Sequence, residues 1–189
     1  MTAAGLLFST LFLATASIAQ PVPAGVATAA IRADERDRDA REKLAEIIEA
    51  LAIGNGSVVA DIGAGYGYYA VRLSPVVGTS GRIYAEEIDR PLVEKLRRRV
   101  ANENLKNIKP VLGKPDDPGL PGSSLDAILL ADVYHEVESR SGFLRRIMTS
   151  LKPGGRLVIV EYLKPELRSN HARGSRRSTT SPRNMSSRI

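Results

Sequence analysis

The chain has 189 residues, 43% of them hydrophobic and 25% charged, with two histidines and no cysteine. That length suits one domain of ordinary size, and the missing cysteine removes disulfides, thiolate metal sites and cysteine nucleophiles, while two histidines make no convincing metal site, so no metal is expected. The formal charge of +6 suggests a nucleic-acid protein until it is located: residues 1–166 are formally neutral, and the six arginines after them carry the whole excess.

Residues 3–19 are apolar and rich in Ala and Leu, ending in Ser17-Ile18-Ala19 before Gln20. This is the pattern of a secretory signal peptide with a small-residue cleavage site, assigned to residues 1–19. It predicts an exported protein, periplasmic or secreted. The alternative is an uncleaved membrane anchor, because no Lys or Arg precedes the apolar run whereas Arg32, Arg36, Arg38, Arg41 and Lys43 follow it. Membrane contact is expected only through this segment. Pro21, Pro23 and Gly25 predict a linker over residues 20–33.

A folded domain is expected over residues 34–166. It opens with a charged helix over 34–52, whose Leu44, Ile47, Ile48 and Leu51 fall on one face. Its mixed charges suit intrahelical pairs better than a nucleic-acid surface. Strands are expected at 58–61, 82–86, 108–112, 125–131 and 156–162, with helices at 66–73, 91–104 and 142–151 between them. Strand-length apolar runs alternating with helices predict a mostly parallel sheet covered on both faces, an α/β three-layer sandwich. Pro153-Gly154-Gly155 is expected to stop the last helix.

The run Val58-Val59-Ala60-Asp61-Ile62-Gly63-Ala64-Gly65-Tyr66-Gly67 is the most informative segment. An apolar strand ending in a carboxylate enters alternating glycines, which let a ligand lie against the main chain and against a helix N-terminus. The dinucleotide fingerprint G-x-G-x-x-G would place its third glycine at Tyr68, so an NAD site is disfavoured. Glu87 stands about 20 residues past Gly67, at the distance where an acidic side chain meets ribose hydroxyls. Glu86 and Asp89 read as surface carboxylates or capping groups, Asp89 preceding a helix with Pro91 in its first turn.

With these motifs the chain resembles the S-adenosylmethionine-dependent methyltransferases of the Rossmann-like class, in pattern nearest their small-molecule and quinone methyltransferase group. The likeness runs from about residue 34 to 162. It is carried by Asp61 to Gly67, Glu87, Asp116-Asp117 before Leu120-Pro121, Leu125 to Leu130 with Asp132 after it, and Leu151-Lys152-Pro153-Gly154-Gly155-Arg156 leading into Leu157 to Val160. The resemblance implies S-adenosylmethionine as cofactor and methyl transfer to a small-molecule acceptor. It implies that Gly63, Gly65 and Gly67 face the methionine part, with Tyr66 beside them. Asp61 would help orient the amino group, Glu87 would bind the ribose, Asp116 or Asp117 would sit near the adenine, and Asp132 would complete the cofactor-binding set. Without the other motifs, Asp116 and Asp117 between Pro115 and Pro118 would read as a solvated turn.

Transfer of an activated methyl group needs mainly an in-line acceptor held close. Where a base assists, the segment Asp132-Val133-Tyr134-His135-Glu136 after the fourth strand points into the crevice beyond the strand ends. His135 is the candidate base, with Tyr134 or Glu136 as neighbours; the plainer reading is a histidine that caps the next helix. Tyr68 and Tyr69 read equally well as packing residues.

Residues 167–189 hold many Ser and Thr and no carboxylate, which predicts a disordered basic tail. It lacks the aromatic residues that stack on bases, so no specific nucleic acid is expected. The resembling family continues past its fifth strand with a helix and an antiparallel strand pair. Here the pattern stops after Tyr162, and the expectation is a truncated or frame-shifted gene model that leaves Leu157 to Val160 as an unprotected edge strand. Three other readings follow: a cofactor-binding but inactive truncated methyltransferase, an NAD-dependent oxidoreductase, and a basic-tail interaction module.

Overall fold

The computed structural model describes residues 24–161, with side chains from residue 33 onward. The chain divides into two units, residues 1–42 and 43–189. The segments expected to be a signal peptide (1–19) and a disordered basic tail (167–189) lie outside the described residues.

The first unit contributes α1, Ala24–Arg41. It begins inside the residues expected to be linker. Four alanines among residues 24–30 are the strongest helix formers and outweigh Gly25. Near its end the Arg38 guanidinium lies 3.7 Å from Glu42, a four-residue spacing that joins neighbours on one helix face. The helix expected over 34–52 is in fact two helices. Lys43 takes a non-helical ψ of 59°, and the apolar stripe forms its own short helix, α2, Leu44–Leu51.

The second unit is an alternating α/β layer structure. β1 (Val58–Ile62), α3 (Tyr68–Val77), β2 (Arg82–Glu87), α4 (Arg90–Asn102), β3 (Ile108–Leu112), β4 (Leu125–Ala131), α5 (Arg140–Met148) and β5 (Leu151–Val160) follow in order. All pairings are parallel and the strand order is β3-β2-β1-β4-β5. The expected Rossmann-like sandwich is therefore present. The chain reverses its direction of winding between β1 and β4, and the crevice beyond those strand ends is where ligands bind in such sheets.

Strand side chains alternate between faces, and the core follows that alternation. Val59, Ile83, Ala85, Ala127 and Leu129 join Leu51, Tyr68, Tyr69, Leu73, Val77 and Leu96 in one buried cluster. Ala60, Ile62, Ile128 and Leu130 join Phe143, Ile147 and Leu151 in the other. Both strand faces are covered by helices, which is why β1 and β4 read as unbroken apolar runs.

Three boundaries depart from the sequence expectation. α3 starts at Tyr68, because Gly67 at φ +82° sits outside helical space. α5 ends at Met148, well before Pro153-Gly154-Gly155; Leu151 already pairs with Leu125. The Pro-Gly-Gly segment is instead a bulge in β5, since Arg156 is the next residue in register, opposite Ala127. Among the described residues β5 is an edge strand, and Ile159 on it is exposed.

Two polar clamps fix the end of the sheet away from the crevice. Asp126 accepts the Val58 N–H at 2.7 Å and the Lys152 ammonium at 2.7 Å, tying β1, β4 and β5. Asn107 donates to the carbonyls of Ser74 and Gly78, both at 2.9 Å, and so satisfies the free end of α3. No helix among the described residues is long and apolar enough to cross a membrane.

Candidate functional site

The three glycines after β1 do different work. All have positive φ: +69° at Gly63, +55° at Gly65 and +82° at Gly67. A Cβ on Gly63 would run into the side chain of Val133, which follows β4, and one on Gly67 would come within 2.6 Å of Leu96 on α4. Those two glycines let neighbouring elements close on the turn. A Cβ on Gly65 would meet nothing within 4 Å. The bare main chain there borders open space, as a ligand cradle requires.

Glu87 stands directly beside that opening. Its carboxylate accepts the Gly65 N–H at 3.1 Å through one oxygen and the Asp89 N–H at 2.9 Å through the other. Each oxygen keeps a further lone pair for a hydroxyl donor. Asp61 is buried and accepts the Ala70 N–H at 3.0 Å. It therefore satisfies the first turn of α3 from the end of β1, a capping task that sequence spacing did not suggest.

Glu86 corrects the expectation of a surface carboxylate or capping group. Strand alternation sends it to the face opposite Glu87, and it is 98% buried, with 2% of its surface exposed. One oxygen lies 3.4 Å from the Gly63 N–H. The other has no hydrogen-bond partner among the described residues and lies where a Cβ on Gly113 would be. Burial pushes its pKa up to about 8, against the opposing pull of the Gly63 N–H, with the charges of Glu87 and Asp61 raising it further. Asp89 is the N-cap residue of α4, but its side chain makes no capping bond.

Tyr66 is 40% exposed and leans on α4: Lys95 donates to its hydroxyl at 3.3 Å and Arg99 to its carbonyl at 3.0 Å. Tyr68 and Tyr69 are buried and meet edge to face, 4.8 Å between centroids.

The pair Asp116-Asp117 separates. Asp117 forms a two-pronged bridge with Arg146 on α5, Nε and Nη2 each at 3.1 Å, and also accepts the Gly119 N–H at 3.0 Å. The Arg146 hydrogen bond holds its carboxyl below the usual range. Asp117 is thus committed to pinning the β3–β4 loop. Asp116 is exposed and stays available.

Beyond β4, Asp132 has a left-handed φ of +59° and its N–H donates to the Val160 carbonyl at 2.8 Å. A one-turn 3-10 helix, Tyr134–Glu136, follows. Tyr134 is half-buried against the second core cluster, with the Arg140 guanidinium 5.2 Å from its ring centre. His135 is exposed and meets a residue that the sequence analysis did not single out. Glu161, the residue after β5, places one carboxylate oxygen 2.9 Å from His135 Nδ1 and accepts the His135 main-chain N–H at 3.3 Å with the other. Asp132 lies 3.7 Å from the same ring nitrogen and Glu136 3.8 Å from the other. The separation of 26 positions between His135 and Glu161 hides this contact; the available signal was an acidic residue closing a strand next to β4.

A doubly wound parallel sheet with a glycine turn and a carboxylate at its switch point defines a nucleotide-cofactor domain. Residues 60–159 match the model of the family described as methyltransferase domain, more than half of the chain. The chain belongs to that family, the Rossmann-like S-adenosylmethionine-dependent methyltransferases, and the cofactor is S-adenosylmethionine. Among solved structures it is similar to a SAM dependent methyltransferase from Aquifex aeolicus, with 27% identity, 64% of each chain covered and a TM-score of 0.61. Among curated proteins it is 32% identical to the ubiquinone/menaquinone biosynthesis C-methyltransferase UbiE of Marinomonas sp., over 59% of this chain and 45% of that protein. The protein of that name from Pseudomonas putida is 29% identical over 62% of this chain and 46% of its own length. The chain thus spans under half the length of these relatives.

Proposed function

We propose that the chain methylates a small molecule and that a quinone-type ring is its acceptor class. The single observation that carries the transfer reading is the open space over Gly65 with the Glu87 carboxylate bonded beside it. The acceptor class is supported by the two relatives, whose names describe C-methylation in ubiquinone and menaquinone biosynthesis.

When bound, S-adenosylmethionine supplies a methyl group already activated on a sulfonium. The chain's own residues then have three tasks. The main chain at Gly65 would border the cofactor, and Glu87, with both oxygens fixed by backbone N–H groups, would accept hydrogen bonds from the ribose hydroxyls without reorganising. Asp116, unlike Asp117, is left to reach the adenine. His135, beyond the end of β4, takes a proton from the acceptor; loss of a hydroxyl proton makes a hydroquinone ring carbon more nucleophilic. Export by the N-terminal apolar segment belongs to the same proposal and rests on the sequence pattern alone.

Calorimetric titration of the protein from Gln20 onward with S-adenosylmethionine tests this reading. Binding that is weakened at least about tenfold in both Glu87→Ala and Gly65→Val supports it. A folded parent protein that binds no S-adenosylmethionine refutes it.

A further inference from the structure

We propose that Glu161 is the positioning residue of His135, holding the imidazole with Nδ1 as proton donor so that Nε2 is the basic nitrogen offered to the acceptor. The inference rests on the methyl-transfer reading for its purpose and on geometry for its content.

Two bonds run from one side chain to one residue. A Glu161 oxygen lies 2.9 Å from His135 Nδ1, and its other oxygen accepts the His135 main-chain N–H at 3.3 Å. A carboxylate accepts and cannot donate, so the ring nitrogen facing it carries the hydrogen. In the neutral ring Nε2 is then the acceptor, because the two nitrogens exchange a single proton. The second bond fixes the carboxylate to the main chain of the same residue, so ring and carboxylate keep their mutual orientation.

The other charged groups around the ring agree with this polarity. Asp132, 3.7 Å from Nδ1, adds negative charge on the donor side. Glu136 lies 3.8 Å from Nε2, too far for a good hydrogen bond, and its carboxylate cannot donate to that nitrogen. Arg140 donates to the His135 carbonyl at 3.3 Å and so holds the main chain from α5. In the step itself, the acceptor's hydroxyl proton passes to Nε2 as the new carbon–methyl bond forms and the sulfonium carbon–sulfur bond breaks; the ring proton on the methylated carbon then leaves and the oxygen is reprotonated, restoring the aromatic ring. The imidazolium is stabilised by Glu161 and then returns the proton to solvent.

The test is nitrogen NMR of the whole chain, read well above the ordinary imidazole range. His171 is the only other histidine and serves as the internal reference. The expected result is a His135 spectrum dominated by the Nδ1–H tautomer. Glu161→Ala should convert it to a mixture with Nε2–H in the majority, whereas Glu161→Gln, whose carbonyl oxygen still accepts, should keep Nδ1–H. A parent ring already dominated by Nε2–H overturns the proposal, as does a Glu161→Ala ring that stays Nδ1–H in a folded protein. Failure to bind S-adenosylmethionine would sink the transfer reading and leave the tautomer result standing, so the two failures are distinguishable.

Discussion

The Gly65 N–H donates to Glu87 Oε2 at 3.1 Å, joining the turn after β1 to the end of β2. The same carboxylate takes the Asp89 N–H, so it is fixed before any ligand arrives. Hydrogen bonds to a charged group contribute about 1.5–3 kcal/mol. Glu87→Ala should therefore weaken S-adenosylmethionine binding by roughly 10- to 100-fold while leaving the circular dichroism spectrum unchanged. Calorimetry on the two proteins checks it, and equal affinities would remove Glu87 from the site.

The three glycines should separate under substitution. Gly63→Ala and Gly67→Ala press a methyl group against Val133 and Leu96, and overpacking of this kind costs about 1–3 kcal/mol. Both should lower the urea midpoint. Gly65→Ala meets no atom and carries only the left-handed backbone penalty of roughly 1–2 kcal/mol, yet it fills the cradle. It should lose cofactor affinity out of proportion to stability; an unaltered affinity would mean the open space is not where the cofactor lies.

Glu86 makes stability depend on pH in a stated direction. Its folded pKa, about 8, lies above the ordinary 4.5. Its contribution is therefore fully present below the ordinary value and is lost as pH rises through about 8, because the folded state must give up a proton it holds more tightly than the unfolded chain does. Glu86→Gln removes this titration. Melting curves at acid and at mildly alkaline pH should show the parent losing more stability than the variant. Parallel losses would contradict the assignment.

Asp116 and Asp117 offer a contrast within two residues. Asp117→Asn breaks the charge pairing with Arg146 and should loosen the β3–β4 loop, seen as faster amide exchange around Gly119, with cofactor affinity retained. Asp116→Asn should do the reverse. If only Asp117→Asn weakens S-adenosylmethionine, the assignment of the two carboxylates is inverted.

His135→Ala should reduce turnover of a hydroquinone acceptor by roughly 100-fold, the lower range for a lost general base. A variant that matches the parent at every pH removes the base role.

What the sequence determined by itself was the framework. Alternating strand-length and helix-length patterns placed five strands near their true positions, because burial on both faces leaves continuous apolar runs. The positions of the glycine turn, Asp61 and Glu87 were legible because each sits within a few residues of a strand end, where local pattern fixes chain geometry. Helix ends were less legible: whether Gly67 begins a helix or Leu151 ends one depends on a left-handed φ and on pairing with Leu125. Only the tertiary structure decided which glycine faces open space, since Val133 and Leu96 come from other elements. It alone sent Glu86 inward and bound Asp117 to Arg146 and His135 to Glu161. These contacts join residues 26 or more positions apart, or depend on strand parity near the end of β2, and a single sequence records residue types along the chain without the distances that folding creates between them.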